Sequence, residues 1–173
     1  MILDIYESTR KELATPSIPF RWEEGYNDPW ELQDNLKQTL IKHKGISLTA
    51  IQCGGPIQCF VLGNYADPDS VMGIFNPRIV DQSKEMSFSE ESSLTFPGLY
   101  VKVKRNDWIR VRYSNFRGET DTVKFSGMTA RYFQQAVDHF NGILFTQRAN
   151  RYHLDQAKKQ RAKLNKLKKK NKV

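Results

Sequence analysis

The chain has 173 residues, 39% of them apolar, which suits one domain that buries a core of its own. No apolar run approaches the ~20 residues needed to span a bilayer, and residues 1–10 are too polar for a signal peptide. Two cysteines, Cys53 and Cys59, are too few for a disulfide framework, so a reducing, cytoplasmic setting is expected. The net charge of +8 is unevenly spread: residues 148–173 hold eleven Lys and Arg against one acid, Asp155, while the rest holds sixteen basic and eighteen acidic residues. A slightly acidic body (1–147) and a strongly basic extension (148–173) point to a polyanionic partner for the extension.

In chain order, the first 27 residues, with Pro16 and Pro19, predict an extended lead-in. Asp28 and Pro29 then supply an N-cap and a first-turn proline. Trp30, Leu36, Leu40 and Ile41 fall on one helical face, and Gly45 is placed to stop the helix. Residues 59–62, 99–103 and 108–113 are β-branched and aromatic, and predict strands. Residues 114–118 predict a hairpin turn into a strand at 120–125. A second helix is expected over 128–141, with Phe133, Val137 and Phe140 as its apolar stripe. From about residue 150 the chain is rich in good helix formers. A helix over 152–173 has a narrow apolar stripe (Leu154, Ala157, Leu164, Leu167) among its cations. Helix, strands, then helix argues an α+β fold.

Three stretches stand out together: residues 45–52 (GISLTAIQ), 91–95 (ESSLT) and 135–139 (QAVDH). Their order and spacing resemble the GxGLAAxQ, EGCLS and HExDH motifs of the peptide deformylases. The joins agree as well: Gly55-Pro56 before an apolar strand, residues 75–77 (FNP) before another, and 142–145 (GILF) after the last motif. The resemblance spans about residues 13–145. It implies mixed or antiparallel strands packed around a central motif-bearing helix, with a basic C-terminal helix as in some members.

The family comprises metallohydrolases that remove the formyl group from N-terminal methionine. The resemblance implies Fe2+ or Zn2+ held by the motif-two cysteine and both motif-three histidines, which at i and i+4 share a helical face. It implies a glutamate that moves the proton of the bound water. It also implies an oxyanion held by the motif-one glutamine and the backbone N–H after the cysteine. Carried onto this chain, the metal positions are Ser93, Gln135 and His139, and the general-base position is Ala136. The oxyanion positions, Gln52 and Leu94, are retained, as are Glu91, Gln134 and Asp138. Ser47 and Thr49 replace motif-one glycine and alanine, and the methionine-pocket positions hold Met128, Arg131 and Tyr132.

Serine and glutamine are weak ligands for zinc or iron, so no cofactor is expected, with Fe2+ or Zn2+ as the alternative. His43 and His153 fall at the end of the first helix and in the tail; Cys53 follows Gln52 closely enough to approach the cleft. Read as ordinary structure, Gln135 and His139 hydrogen-bond each other across a helical turn. On the same reading Ser93 is a hydrogen-bonding strand residue, the cysteines fill core and the tail is a solvated helix. The leading expectation is a monomeric, inactive deformylase relative that docks on the ribosome or ribosomal RNA near the nascent-chain exit. Its contacts are Lys158, Lys159, Arg161, Lys163, Lys166, Lys168, Lys169 and Lys170. A nascent formyl-methionyl peptide is a further partner, and a membrane is not. A working deformylase with an altered metal site is the alternative, and a general RNA-binding or viral assembly protein a third; a bacteriophage origin would suit such a chain. The motifs end by residue 145, so removing residues 152–173 is expected to leave a folded domain.

Overall fold

A computed structural model describes residues 1–23 and 28–170. The last four residues of the expected lead-in and the last three of the tail lie outside the described residues. The first long helix, α1 (Pro29–Lys42), begins where sequence places it, with the Asp28 carboxylate accepting from the backbone of Trp30 and Glu31. Leu36 and Leu40 are fully buried, but Trp30 is 55% exposed. It belongs to the first turn, where its ring meets Phe116 edge-on at 5.1 Å.

The end of α1 corrects the expectation for Gly45. Lys44 carries the left-handed φ of 53°, and its N–H and that of Gly45 bond back to Ile41 and Leu40. This is a Schellman closure with lysine in the position usually given to glycine. Gly45 is needed for another reason: a Cβ there would lie 2.8 Å from Leu94 Cδ1.

Seven strands follow: β1 (Ser47–Thr49), β2 (Cys59–Leu62), β3 (Met72–Gln82), β4 (Met86–Glu91), β5 (Val101–Asn106), β6 (Trp108–Ser114) and β7 (Thr120–Ser126). Five form a sheet in the order β1-β2-β3-β6-β7, and β4 with β5 forms a separate ribbon. All strand pairs are antiparallel. The β6–β7 turn is held by Asn115, whose Oδ1 accepts from the backbone of Arg117 and Glu119. β5 starts two residues later than sequence suggests, because residues 93–99 turn tightly first, with Leu99 N–H on Phe96 O.

Helix α2 (Gly127–Phe140) is central: ten of its fourteen residues are buried, so its polar side chains must find partners inside the protein. Phe133, Ala136 and Phe140 pack on Phe60, Ile109 and Val111 of the five-stranded sheet. A second cluster, around Leu36, Leu40, Leu48 and Phe75, fills the space under α1.

After a short α3 (Phe145–Arg148) comes α4 (Arg151–Lys170), which is not a free appendage. Leu154 and Ala157 join Leu99, Val101, Val103 and Phe145 in a third apolar cluster, and His153 meets the Phe88 ring at 5.3 Å. Removing residues 152–173 would expose part of this cluster, because the first turns of α4 cover core. Only its later part stands clear, where Leu164 and Leu167 are nearly half exposed. Among the described residues no helix is long and apolar enough to cross a membrane.

Candidate functional site

A cleft of about 540 Å³ opens between the end of α1, the chain after β4, and α2. One wall is Gly45, Ile46 and Ser47; the other is Ser92, Ser93, Leu94 and Tyr132, with Tyr65 and Tyr100 beside them. Leu94 reaches this place because Gly45 has no side chain to exclude it.

The remaining motif side chains lie beneath that surface, and each is committed to a neighbour. Gln52 is 3% exposed. Its Oε1 accepts from the backbone and hydroxyl of Thr49, while its Nε2 donates to Ser93 Oγ (3.1 Å) and Thr95 Oγ1 (2.9 Å). Both amide hydrogens are thus used. Ser93 lies just past the end of β4, so it is a turn residue and not a strand residue. Gln135 donates to Glu91 Oε2 (3.1 Å) and Ser92 O (3.3 Å). It does not pair with His139, as local reading suggested: the pull of a buried carboxylate takes its amide the other way.

Glu91 is the hub. Its side chain is fully buried and receives Arg105 through two bonds (Nε at 2.6 Å, Nη2 at 3.0 Å), with Arg131 Nη1 at 3.5 Å. Arg105 also bonds Asp138 (2.7 Å), which in turn holds Arg148. Burial opposes the charge on Arg105, but the bonds and charges of Glu91 and Asp138 outweigh it and raise its pKa. This ion network was not foreseen. Its signal was present: in the alternation of β5, Arg105 falls on the inward side with Val101 and Val103 while Lys102 and Lys104 face out.

His139 is the exception to this satisfied core. It is 1% exposed, and neither ring nitrogen has a hydrogen-bond partner. Burial is the main cause that lowers its pKa to about 4, with Asp138 opposing and Arg105 assisting, so the ring is neutral at pH 7.

These contacts bring all three sequence motifs into one place: 45–52 meets 91–95 through Gln52 and Ser93, and 91–95 meets 135–139 through Glu91 and Gln135. The family model for polypeptide deformylases matches residues 2–155. The chain belongs to the peptide deformylase family. It is 34% identical over 123 residues to peptide deformylase 1 of Bacillus anthracis, covering 71% of this chain and 78% of that protein. It is 30% identical over 153 residues to the peptide deformylase of Caulobacter vibrioides, covering 87% and 85%. Among solved structures, the Synechococcus elongatus deformylase superposes with a TM-score of 0.82 at 26% identity, covering 92% of this chain and 86% of that one.

The deformylase metal does not fit the residues present. Of its three ligand positions, His139 alone offers an imidazole; the Ser93 hydroxyl accepts from Gln52, and Gln135, whose amide nitrogen is held by Glu91 and Ser92, offers only a neutral carbonyl oxygen. Among the described residues no three of His, Cys, Asp and Glu group closely enough to hold a metal ion. At the general-base position, the Ala136 methyl is 1% exposed and packs in the apolar cluster of α2.

The pocket positions divide. Tyr132 lines the cleft, and burial raises its phenol above the ordinary value, opposed by a hydrogen bond with Ser92. Arg131 and Met128 instead border a separate depression beside Ser87 and Asp107. Arg131 is drawn there by the carbonyls of Val103 and Ser87, both at 2.9 Å. Cys53 lies away from the cleft, packed against the α1 cluster; burial, then Asp4, pushes its thiol up to about 12. His43 borders the cleft, and His153 belongs to the α4 contact. On α4, Lys158, Lys159, Lys163, Lys166, Lys168, Lys169 and Lys170 are exposed and Arg161 is half-buried.

Proposed function

We propose that this deformylase-family chain does not deformylate, and acts by binding the ribosome or another RNA-rich assembly through α4. The observation that carries the first half is the state of the family's catalytic positions: Ser93, Gln135 and Gln52 are bonded into the protein and Ala136 is packed as core. Bulk water has a pKa of ~15.7 against ~7 when zinc-bound, and loss of a general base removes a further factor of ~10² to 10⁴. Among the described residues no cluster of His, Cys, Asp and Glu beneath the cleft could hold a metal in their place.

The second half is supported by charge. The far part of α4 presents Lys163, Lys166, Lys168, Lys169 and Lys170 to solvent with no acid among residues 156–170. It matches in position and charge the basic helix by which some family members dock on the ribosome. Docked on a scaffold of this kind, the chain occupies the place where nascent formyl-methionyl ends emerge.

A working deformylase with an altered metal site remains a second reading because of one observation, the unpartnered imidazole of His139. An orphaned buried ring costs about 1–3 kcal/mol, which a bound ion would relieve. One neutral imidazole without thiolate or carboxylate company is a poor site for zinc or iron(II).

Two measurements test the proposal. Elemental analysis of the purified chain should find far less than one iron or zinc per molecule, and near-stoichiometric metal that is lost on His139→Ala would overturn the inactive reading. In sedimentation with ribosomes the full chain should pellet at low salt, and Lys166→Glu/Lys168→Glu/Lys169→Glu should not. If about six phosphates are neutralised, affinity should fall roughly a thousandfold between ~50 and ~200 mM salt. Equal pelleting of the charge-reversed chain would refute binding through α4.

A further inference from the structure

Where α4 lies on the β4–β5 ribbon, the surface carries more than charge. Three rings there are over half exposed: Phe88 at 52%, Tyr100 at 58% and Tyr152 at 68%. They form a connected strip. Phe88 meets His153 at 5.3 Å, and Tyr152 lies 5.6 Å from the same imidazole. Tyr100 and Tyr152 line a groove of about 260 Å³ with Lys102. Tyr100 also borders a second groove, of about 320 Å³, which Arg161 lines as well. Lys104 Nζ stands 5.9 Å over the Phe88 ring. Among the described residues Lys102, Lys104 and Arg161 make no ion pair within 4 Å, so their charges are available to a partner.

A basic helix that reads only phosphates has no use for exposed ring faces, which cost free energy in water. Rings alternating with cations are what unpaired bases need: each base stacks on an aromatic face while a nearby cation neutralises its phosphate. A duplex hides its base faces and cannot use them. We propose that Phe88, Tyr100 and Tyr152, with Lys102, Lys104 and Arg161, form a stacking platform for single-stranded RNA. This rests on the RNA-binding reading of α4 and narrows it to unpaired RNA.

One group opposes the phosphates. Glu90 lines both grooves and sits opposite Lys102 across the ribbon. Its carboxylate repels a passing backbone, so Glu90→Gln strengthens binding.

The test uses the full chain, a labelled single-stranded RNA of about twelve nucleotides, within the usual footprint of such sites, and a duplex carrying the same number of phosphates. Fluorescence anisotropy should show preference for the single strand. Phe88→Ala/Tyr100→Ala/Tyr152→Ala should weaken single-strand binding by about a hundredfold or more, at roughly fivefold or more for each lost stack, and leave duplex binding unchanged. Tyr100→Phe/Tyr152→Phe, which keeps the ring faces and the fold, should bind like the parent. An alanine variant that melts like the parent and holds the single strand as tightly overturns the platform. So does parental binding by each single alanine variant, should the triple variant not fold. If Lys166→Glu/Lys168→Glu still weakens both RNAs, the α4 reading survives that loss. Binding of neither RNA at low salt overturns both, and leaves the strip as a protein-docking surface.

Discussion

At the scale of single residues, the positions of the family's catalytic groups hold side chains bonded or packed into the protein, and His139 stands apart because its ring has no hydrogen-bond partner. Its imidazole is buried without a partner and has a folded pKa of about 4, against ~6.5 when unfolded. Above pH 6.5 neither state binds a proton there, and its contribution is constant. As pH falls from 6.5 toward 4 the unfolded state takes a proton that the folded ring refuses, so stability is lost through that window, by up to about 3 kcal/mol. His139→Leu should remove this part of the pH dependence in urea unfolding at pH 7.5, 6 and 4.5. At pH 7 the substitution should be neutral or stabilising, since it replaces an unsatisfied polar group by an apolar one. A variant with an undiminished acid slope would show that His139 is protonated or partnered in the folded protein.

The residues the sequence could and could not reveal differ for a physical reason. Ser93, Gln135 and Ala136 are legible as departures from the family pattern because a fixed motif spacing says what each position holds in the family. Which partner their side chains then took was not legible, because Gln135 turns to Glu91 only once β4, β5 and α2 have brought Arg105, Asp138 and Glu91 together from distant parts of the chain. The place of Arg131 is hidden for the same reason: the motif puts it at a methionine-pocket position, and nothing local announces the carbonyls of Val103 and Ser87 that draw it aside.

At the scale of elements, α1, α2 and the β6–β7 hairpin were readable because caps, apolar period and turn chemistry are local signals. α4 is legible as a helix, but its packing against the domain is not. Its narrow stripe looks too weak to pack, yet Ala157 and Leu154 close a cluster whose other members come from β5 and α3. A chain ending at residue 150 should therefore lose about 2 kcal/mol of stability, a fall of roughly 4–8 °C in melting temperature. A chain ending at residue 163 should melt like the parent while losing ribosome pelleting. Unchanged melting of the shorter chain would show that the α4 contact contributes nothing to the fold.

At the scale of the whole molecule, the deformylase architecture is retained from the lead-in through α2, beside a cleft that Tyr132, Ser92 and Ser93 line. The sheet, the central helix and the motif contacts need only packing and hydrogen bonds, whereas deformylation needs a metal and a base, and on the proposed reading these positions supply neither. The molecule divides between a buried motif cluster, hydrogen-bonded except at His139, and an exposed basic and aromatic face along α4. The measurement that tests this most directly is hydrolysis of a formyl-methionyl peptide by the unmodified chain, with iron(II) or zinc supplied and with a metal-only control. The account predicts no turnover above the control at any metal concentration. Hydrolysis above it that disappears on His139→Ala would contradict the account, and would make this chain a working deformylase built on a different ligand set.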